Sequence, residues 1–236
     1  MEGEGKMNAK DFFKQFKNAV KEKNVVEKGR LKKFPDVSGN FDEIYKTNEP
    51  AFTELINKDI IDGVIANCDV DEALLKEKKC LREYSKLVAQ HEYFRIDSIG
   101  YQHKFWMIDS DDSKNYGLNR HFWDLKIAVE HENSKKDWMD EVIKLIHVRC
   151  PLKVVIAYNY CDHRDYIKND NLCDLNKLNY IAKWMVKVNA FDKNAREEYL
   201  VIIGNGAGLE QKSYSEFDYR GYIFDYATDE FIQLDK

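Results

Sequence analysis

Residues 123–158 constrain the fold of this chain more than any other part of the sequence. The segment opens with an alternating apolar run and passes through a polar turn, where Asn133 or Ser134 can cap, into an amphipathic helix with Trp138, Val142, Leu145 and Ile146 as its apolar stripe. It ends in a continuous apolar run over residues 153–158. This pattern predicts strand, helix and strand. Because a helical crossover of this length joins parallel neighbours, we predict two adjacent parallel strands.

Two glutamates, Glu130 and Glu132, stand where the first of these strands ends. Side chains alternate along a strand, so both carboxylates are expected on one face of the sheet. His131 lies between them and is expected on the opposite face, as a partly buried structural histidine. Two neighbouring carboxylates repel each other, and a hard divalent cation is a common compensation. The pair therefore indicates a metal site.

Periodicity and turn residues predict the remaining elements. We predict helices over residues 11–23, 51–66, from Asp69 or Asp71 to about Gln90, and 172–188, with strands over 93–101, 105–108 and 199–203, a loop over 28–45 and a hairpin over 219–234. This order predicts an α/β or α+β fold with a mixed central sheet between helices. We expect residues 1–70 to form an N-terminal helical extension packed on a core of residues 71–236.

Asp97 provides a third carboxylate within a predicted strand. If that strand pairs with the strand through Glu130, then Asp97, Glu130 and Glu132 meet at one place. Phosphodiester hydrolysis needs an activated water and neutralisation of the charge that builds on the phosphate. One or two Mg²⁺ ions held by carboxylates supply both. Hydrolysis of a phosphate ester is therefore the chemistry that these residue types favour.

The same residues resemble a known family, the PD-(D/E)XK nucleases, whose core is described as restriction endonuclease-like. The similarity covers about residues 74–158, and its motifs are Arg95-Ile96-Asp97, then Ile127-Ala128-Val129-Glu130-His131-Glu132-Asn133, a helix with Trp138, Glu141 and Lys144, and the strand Val154-Val155-Ile156. Two departures from the family pattern stand out. No proline precedes Asp97, and Glu132 occupies the position of the usual lysine, which gives a Glu-x-Glu variant.

The resemblance implies a role for each site residue. Asp97 and Glu130 would be ligands of Mg²⁺, with Mn²⁺ as a substitute, and Glu132 would orient or deprotonate the attacking water. Lys144 would be a lysine that has migrated to the following helix. The alternative for Lys144 is a surface lysine paired with Glu141 or Asp140.

Glu92 or Glu83 could add a further carboxylate at the edge of the site, but each is individually expected to be solvated.

The function that follows from the resemblance is Mg²⁺-dependent hydrolysis of DNA by an endonuclease. A second hypothesis is a catalytically inactive protein of the same fold that serves as a binding or assembly subunit. A third is an unrelated metal-dependent hydrolase. An enzyme that cuts palindromic DNA would be a symmetric homodimer. No sequence feature identifies a dimer surface.

Composition limits the alternatives. The net charge of −5 over 236 residues argues against binding nucleic acid by bulk electrostatics alone. Basic residues dominate residues 6–33, either as an arm for phosphates or as a solvated helix face. The five cysteines are scattered and never form C-x-x-C, which indicates reduced thiols in a cytoplasmic protein. No apolar run reaches the roughly 20 residues that a membrane helix needs, so no membrane partner is expected.

Two further patterns carry less weight. The glycine-rich stretch 204–208 follows an apolar strand but lacks the end of a phosphate-binding loop, so a turn is expected. Aromatic residues at Tyr93, Tyr101 and Trp106 could stack on bases. Most aromatic side chains in the chain are expected to lie in the core.

Overall fold

A mixed seven-stranded sheet with helices on both faces organises the protein. The computed structural model describes residues 7–69, 86–103, 123–133, 138–159, 174–187, 197–205 and 217–234. Within these ranges the chain is an α+β protein, as the order of predicted elements indicated. None of the helices in these ranges is long and apolar enough to cross a bilayer.

The strands follow one another across the large sheet in chain order. A short antiparallel pair, β1 (Val25–Val26) and β2 (Gly39–Asn40), precedes the seven strands β3 (Val88–Tyr93), β4 (Ile96–His103), β5 (Trp123–Glu132), β6 (Leu152–Asn159), β7 (Glu198–Asn205), β8 (Arg220–Asp225) and β9 (Glu230–Gln233). The central strands β5, β6 and β7 are parallel, and the outer pairs are antiparallel. The predicted parallel pairing of β5 with β6 is confirmed, with Glu130 opposite Val155.

Helices cover the sheet in two layers. They are α1 (Ala9–Glu22), α2 (Phe41–Thr47), α3 (Glu49–Glu54), a π-helical segment (Leu55–Ile61), α4 (Asp62–Ala66), α5 (Trp138–Ile146) and α6 (Asp174–Lys187). Asparagine side chains cap two of the starts: Asn8 accepts from the Asp11 N–H and Asn48 from the Ala51 N–H. Pro50 lies in the first turn of α3, where it loses no helical hydrogen bond.

Each face of the sheet carries its own apolar core. Alternation along β5 sends Val129 toward the N-terminal helices, where it joins Phe12 and Phe52. Ala128 points the other way and joins the cluster under α5 and α6 that contains Trp138. The N-terminal helices therefore pack directly on the sheet. The division into an extension and a core at residue 70 stays a prediction.

Three predicted elements were wrong. The helix expected to reach Gln90 is replaced at its end by β3, because antiparallel pairing with β4 overrides the local helical spacing. The single strand over 93–101 is divided by a two-residue turn at Phe94 and Arg95, whose φ angles are +50° and +63°. The loop over 28–45 contains the start of α2, where Asn40 and Glu43 form a capping box.

Other predictions agree with the structure or lie outside it. The helices over 11–23 and 172–188, the strand over 199–203 and the closing hairpin are confirmed within a few residues. The stretch predicted as one helix over 51–66 is helical throughout, with a π-helical segment in its middle. The predicted strand 105–108 and most of the glycine-rich stretch lie outside the described residues.

Candidate active site

Antiparallel pairing of β4 with β5 brings Asp97 beside Glu130. Ser98 lies opposite Val129 in this register, so the residues before and after them face each other across the two strands. The backbone N–H of His131 donates to Asp97 Oδ2 at 2.8 Å. This hydrogen bond fixes the carboxylate of Asp97 at the end of β5. The predicted meeting of these two acidic residues therefore occurs.

Glu130 is almost completely buried, with 1% of its surface exposed. Burial raises the pKa of its carboxyl to about 8, and the nearby charges of Asp97 and Glu141 act in the same direction. Contact with Lys144 opposes this rise. Lys144 Nζ lies 2.8 Å from Glu130 Oε1. That oxygen has no partner with hydrogen-bond geometry among the described residues, so the contact is electrostatic rather than directed.

Lys144 reaches the site from α5 and touches two carboxylates. Its ammonium is 2.8 Å from Glu130 Oε1 and 2.7 Å from Glu141 Oε2. Burial lowers the pKa of Lys144, but the contacts with the two glutamates outweigh it and raise the pKa overall. The side chain keeps 35% of its surface exposed. The predicted pairing with Glu141 is confirmed, and the same lysine also contacts the buried acid.

Two further carboxylates influence the site. Glu141 raises the pKa of both Asp97 and Glu130, and Glu92 raises the pKa of Asp97, whose main cause of elevation is burial. Sequence reasoning treated Glu141 only as a partner of Lys144. The sequence did carry a signal for its influence on the site, because Glu141 stands three residues before that lysine on the helix that follows the Glu-x-Glu strand. Glu92 is exposed, and Glu83 lies outside the described residues.

Glu132 lies two residues beyond Glu130 on the same strand. It is opposite Ala157 in the parallel register with β6 and is partly exposed. Alternation along β5 places it on the face that carries Glu130. The site thus consists of a buried carboxylate, a carboxylate fixed by a backbone N–H, a lysine between two glutamates, and a more accessible carboxylate at the strand end.

His131 occupies the opposite face, as predicted. Burial lowers the pKa of its imidazole to about 3. Its Nδ1 lies 3.0 Å from Asn57 Oδ1 and its Nε2 lies 3.1 Å from the Tyr158 hydroxyl. A neutral ring that donates through Nδ1 and accepts at Nε2 satisfies both contacts. His131 is therefore a structural residue, and its contribution to the site is the backbone N–H given to Asp97.

The candidate site offers two adjacent carboxylates as ligands for a hard divalent cation. Among the described residues, no group of three or more His, Cys, Asp or Glu side chains is arranged to hold a metal ion. Two carboxylates, Asp97 and Glu130, are adjacent. Mg²⁺ is commonly held by one or two carboxylates, and waters and substrate phosphates complete its octahedron. The buried Glu130 Oε1, which lacks a directed hydrogen bond, is suited to such a role.

A second polar chain lies nearby but serves packing. Asp62 Oδ2 is 2.9 Å from His91 Nε2, and His91 Nδ1 is 3.0 Å from Ser98 Oγ. The order acid, imidazole, hydroxyl is that of a nucleophilic relay. Ser98, however, has no exposed surface, so no substrate reaches its hydroxyl. The chain instead ties α4 to strands β3 and β4.

The exposed aromatic residues differ from those expected. Tyr101 is 7% exposed and belongs to the core, where most aromatic side chains were expected, so its ring is not available to stack on bases. Tyr93 packs against the same core, and Trp106 lies outside the described residues. Among the residues that the structure describes, the largely exposed rings are instead Phe94 on the β3–β4 turn and Tyr180 and Trp184 on α6.

No protein-family model, curated protein or solved structure matches this chain.

Proposed function

We propose that this protein is a metal-dependent nuclease that hydrolyses DNA phosphodiester bonds, with a restriction endonuclease-like core. Asp97 and Glu130 would hold Mg²⁺. The observation that carries the proposal is the position of the buried Glu130, which lies beside Asp97 of the neighbouring strand and 2.8 Å from Lys144 of the following helix. Acidic and basic groups that converge on one strand end are what phosphoryl chemistry with a cation requires.

The order of the elements supports the same proposal. β4 carries Asp97, β5 carries Glu130 and Glu132, α5 carries Lys144, and β6 returns parallel to β5. This is the order that the resemblance to PD-(D/E)XK nucleases implies. Each proposed site residue stands on a strand or helix rather than on a long loop, which favours a fixed geometry.

Each residue has a definable task in the proposed reaction. Bound Mg²⁺ would activate water and neutralise charge on the phosphate. The His131 N–H orients Asp97, and burial keeps Glu130 poorly solvated. Lys144 contacts Glu130 at 2.8 Å, and the N–H donors of its ammonium suit a phosphate oxygen or the attacking water. Glu132, nearer the strand end, would orient or deprotonate that water.

A second candidate is a catalytically inactive protein of this fold that acts as a binding or assembly subunit. Lys144 favours it, because the lysine already lies between Glu130 and Glu141 and contacts both without any metal. In that case the cluster would be a structural ion-pair network.

Calorimetric titration of Mn²⁺ separates the two candidates. We expect the wild-type protein to bind Mn²⁺ and the Glu130→Ala variant to lose at least about tenfold in affinity, since removal of one ligand leaves a single carboxylate. The matched control is Glu54→Gln, which alters a largely buried carboxylate paired with Lys58 at 3.3 Å on α3. This control should bind Mn²⁺ like the wild type.

Cleavage of supercoiled plasmid completes the test. Wild-type protein with Mg²⁺ should nick or linearise the plasmid, and the Glu130→Ala and Asp97→Asn variants should not. The Glu54→Gln control should cut normally. Metal binding without cleavage of plasmid or of single-stranded DNA would reject the nuclease. Absence of binding and of cleavage would favour the inactive subunit.

A further inference from the structure

Helix α6 exposes a stripe of basic and aromatic side chains. Its buried face is formed by Leu178, Ile181, Ala182 and Met185, which pack under the sheet. The opposite face carries Lys177, Tyr180, Lys183, Trp184 and Lys187, which we call the α6 stripe. Tyr180 is 63% exposed and Trp184 is 51% exposed. The stripe spans eleven residues, or about 15 Å from the first Cα to the last along the helix.

All the charged residues of the α6 stripe are lysines. The one acidic residue of α6, Asp174, is buried at the helix start and contacts Arg220 at 3.2 Å. In the part of the chain that the structure describes, neither Lys177 nor Lys183 has a carboxylate within 4.0 Å. The protein as a whole has a net charge of −5. The stripe is therefore a local positive surface on an acidic protein.

The two large rings of the stripe are held in place. The rings of Tyr180 and Trp184 meet edge to face, with centroids 6.4 Å apart. The ammonium of Lys187 lies 4.5 Å from the centroid of the Trp184 ring. A cation–π contact of this kind limits the movement of both side chains. Large rings fixed in solvent lose little entropy when a flat ligand stacks on them.

Grooves lie on both sides of the stripe. One, of about 500 Å³, runs between α6 and α5 and is lined by Tyr180, Lys183 and Met139. The other, also of about 500 Å³, runs between α6 and the β8–β9 turn and contains Trp184 and Lys187, with Asp229 and Glu230 on its far wall. Since α5 also carries Lys144, the stripe lies in the same helical layer as the candidate site.

We propose that the α6 stripe binds a single-stranded segment of nucleic acid. Lysines attract the phosphates, and exposed rings stack on bases whose faces are free, which a duplex does not offer. Charge complementarity selects this occupant over a second copy of the acidic chain. The inference rests on the proposed function in so far as the bound strand is the substrate, but binding itself needs neither metal nor cleavage.

Fluorescence anisotropy with a 5′-fluorescein-labelled oligothymidylate in EDTA tests the inference with the full chain. We expect Tyr180→Ala/Trp184→Ala to bind at least about tenfold more weakly than wild type, since stacking of each base contributes a factor of this order. Lys183→Glu/Lys187→Glu should also bind more weakly and should lower the slope of log K against log salt by about one to two. Wild-type protein should prefer the single strand to a duplex of equal length.

The matched control reverses two lysines on another helix. Lys10→Glu/Lys14→Glu alters the exposed face of α1, on the other side of the sheet, by the same total charge. At about 0.15 M salt binding should change by less than about twofold, because exposed charges separated by more than the Debye length, about 8 Å at that ionic strength, are largely screened. Thermal melts confirm that all three variants fold, and Lys183→Gln/Lys187→Gln provides a milder form of the charge change.

Each other outcome overturns the inference. These outcomes are no binding of oligothymidylate by the wild type, equal binding by wild type and the α6 variants, and loss of binding only in the α1 control. Stripe-dependent binding to anionic phospholipid vesicles, or stripe-dependent dimerisation in sedimentation, without DNA binding also overturns it. Failure of the proposed function is seen separately, as absence of Mn²⁺ binding and cleavage in a protein that still binds the oligonucleotide through α6.

Discussion

Glu130 and His131 are neighbours on β5, yet their side chains lie on opposite faces of the sheet, and burial shifts their pKa values in opposite directions. Burial raises the pKa of Glu130 to about 8 and lowers the pKa of His131 to about 3. In both cases the neutral form is favoured, because a poorly solvated site disfavours charge. The difference lies in the partners. Both nitrogens of His131 have hydrogen-bond partners, whereas Glu130 Oε1 meets an ammonium without directed geometry.

The two faces therefore have different uses. The His131 face is closed by interlocking rings, among them Phe52, Tyr158 and Phe217. The Glu130 face keeps four carboxylates and a lysine within mutual influence. Around His131, where both ring nitrogens have hydrogen-bond partners, the packing contributes stability. A region in which burial is incompletely compensated stores free energy that a ligand can release, and such regions are where function is expected.

The largest expected effect tests the closed face. Phe52 has no exposed surface, and its ring lies 4.8 Å from that of Tyr45 and 5.3 Å from that of Phe217. We expect Phe52→Ala to lower the free energy of unfolding by about 3–5 kcal/mol through loss of burial and formation of a cavity. Urea titration measures this. Phe94→Ala, at an 81% exposed ring, should change stability by less than about 0.5 kcal/mol. Equal losses of unfolding free energy in the two variants would contradict the proposal that the rings around Phe52 stabilise the fold.

A smaller effect of opposite sign tests the other face. The folded-state pKa of Glu130, about 8, exceeds the ordinary value of 4.5. The folded state therefore binds more protons between these pH values, and stability falls as pH rises from about 4.5 to about 8. We expect Glu130→Gln to stabilise the metal-free protein at pH 8 by on the order of 1–3 kcal/mol, less than the full shift, because a buried amide also costs free energy.

Urea titrations in EDTA at about pH 4.5 and about pH 8 measure this effect, in the window set by the pKa shift of Glu130. The difference between variant and wild type should be small at the lower pH and large at the higher one. Parallel curves would show that Glu130 does not titrate abnormally. Glu54→Gln again provides a carboxylate control outside the candidate site.

The smallest effect concerns His131. Its pKa in the folded state, about 3, lies below the ordinary 6.5, so the unfolded chain binds more protons as pH falls between these values. Stability should therefore decrease from about pH 6.5 toward pH 3. We expect His131→Gln to lower stability at pH 7 by about 1–2 kcal/mol through imperfect hydrogen bonds to Asn57 and Tyr158. It should also flatten the acid side of the stability profile. An unchanged acid slope would contradict the assignment of a neutral buried imidazole.

Sequence reasoning succeeded where local periodicity and long-range pairing agree. The strand–helix–strand unit from β5 to β6 has unambiguous alternation, an amphipathic helix and a buried-type strand, and its parallel pairing follows from the length of the crossover. It failed at β3, where Leu87 and Val88 fit a helical stripe but pairing with β4 is more favourable. It also missed the turn at Phe94 and Arg95, because positive φ values at two large residues have no sequence signal.

The sequence by itself determined that Glu130 and Glu132 share a strand face and that His131 opposes them, because strand alternation follows from backbone geometry alone. Only the tertiary structure decided the register that fixes Asp97 to the His131 N–H. Tertiary packing likewise placed Lys144 against Glu130 and left Tyr180 and Trp184 exposed. Alternation is a property of a few consecutive residues. Register, burial and the pKa values that follow from burial depend on the whole set of neighbours that distant segments bring together.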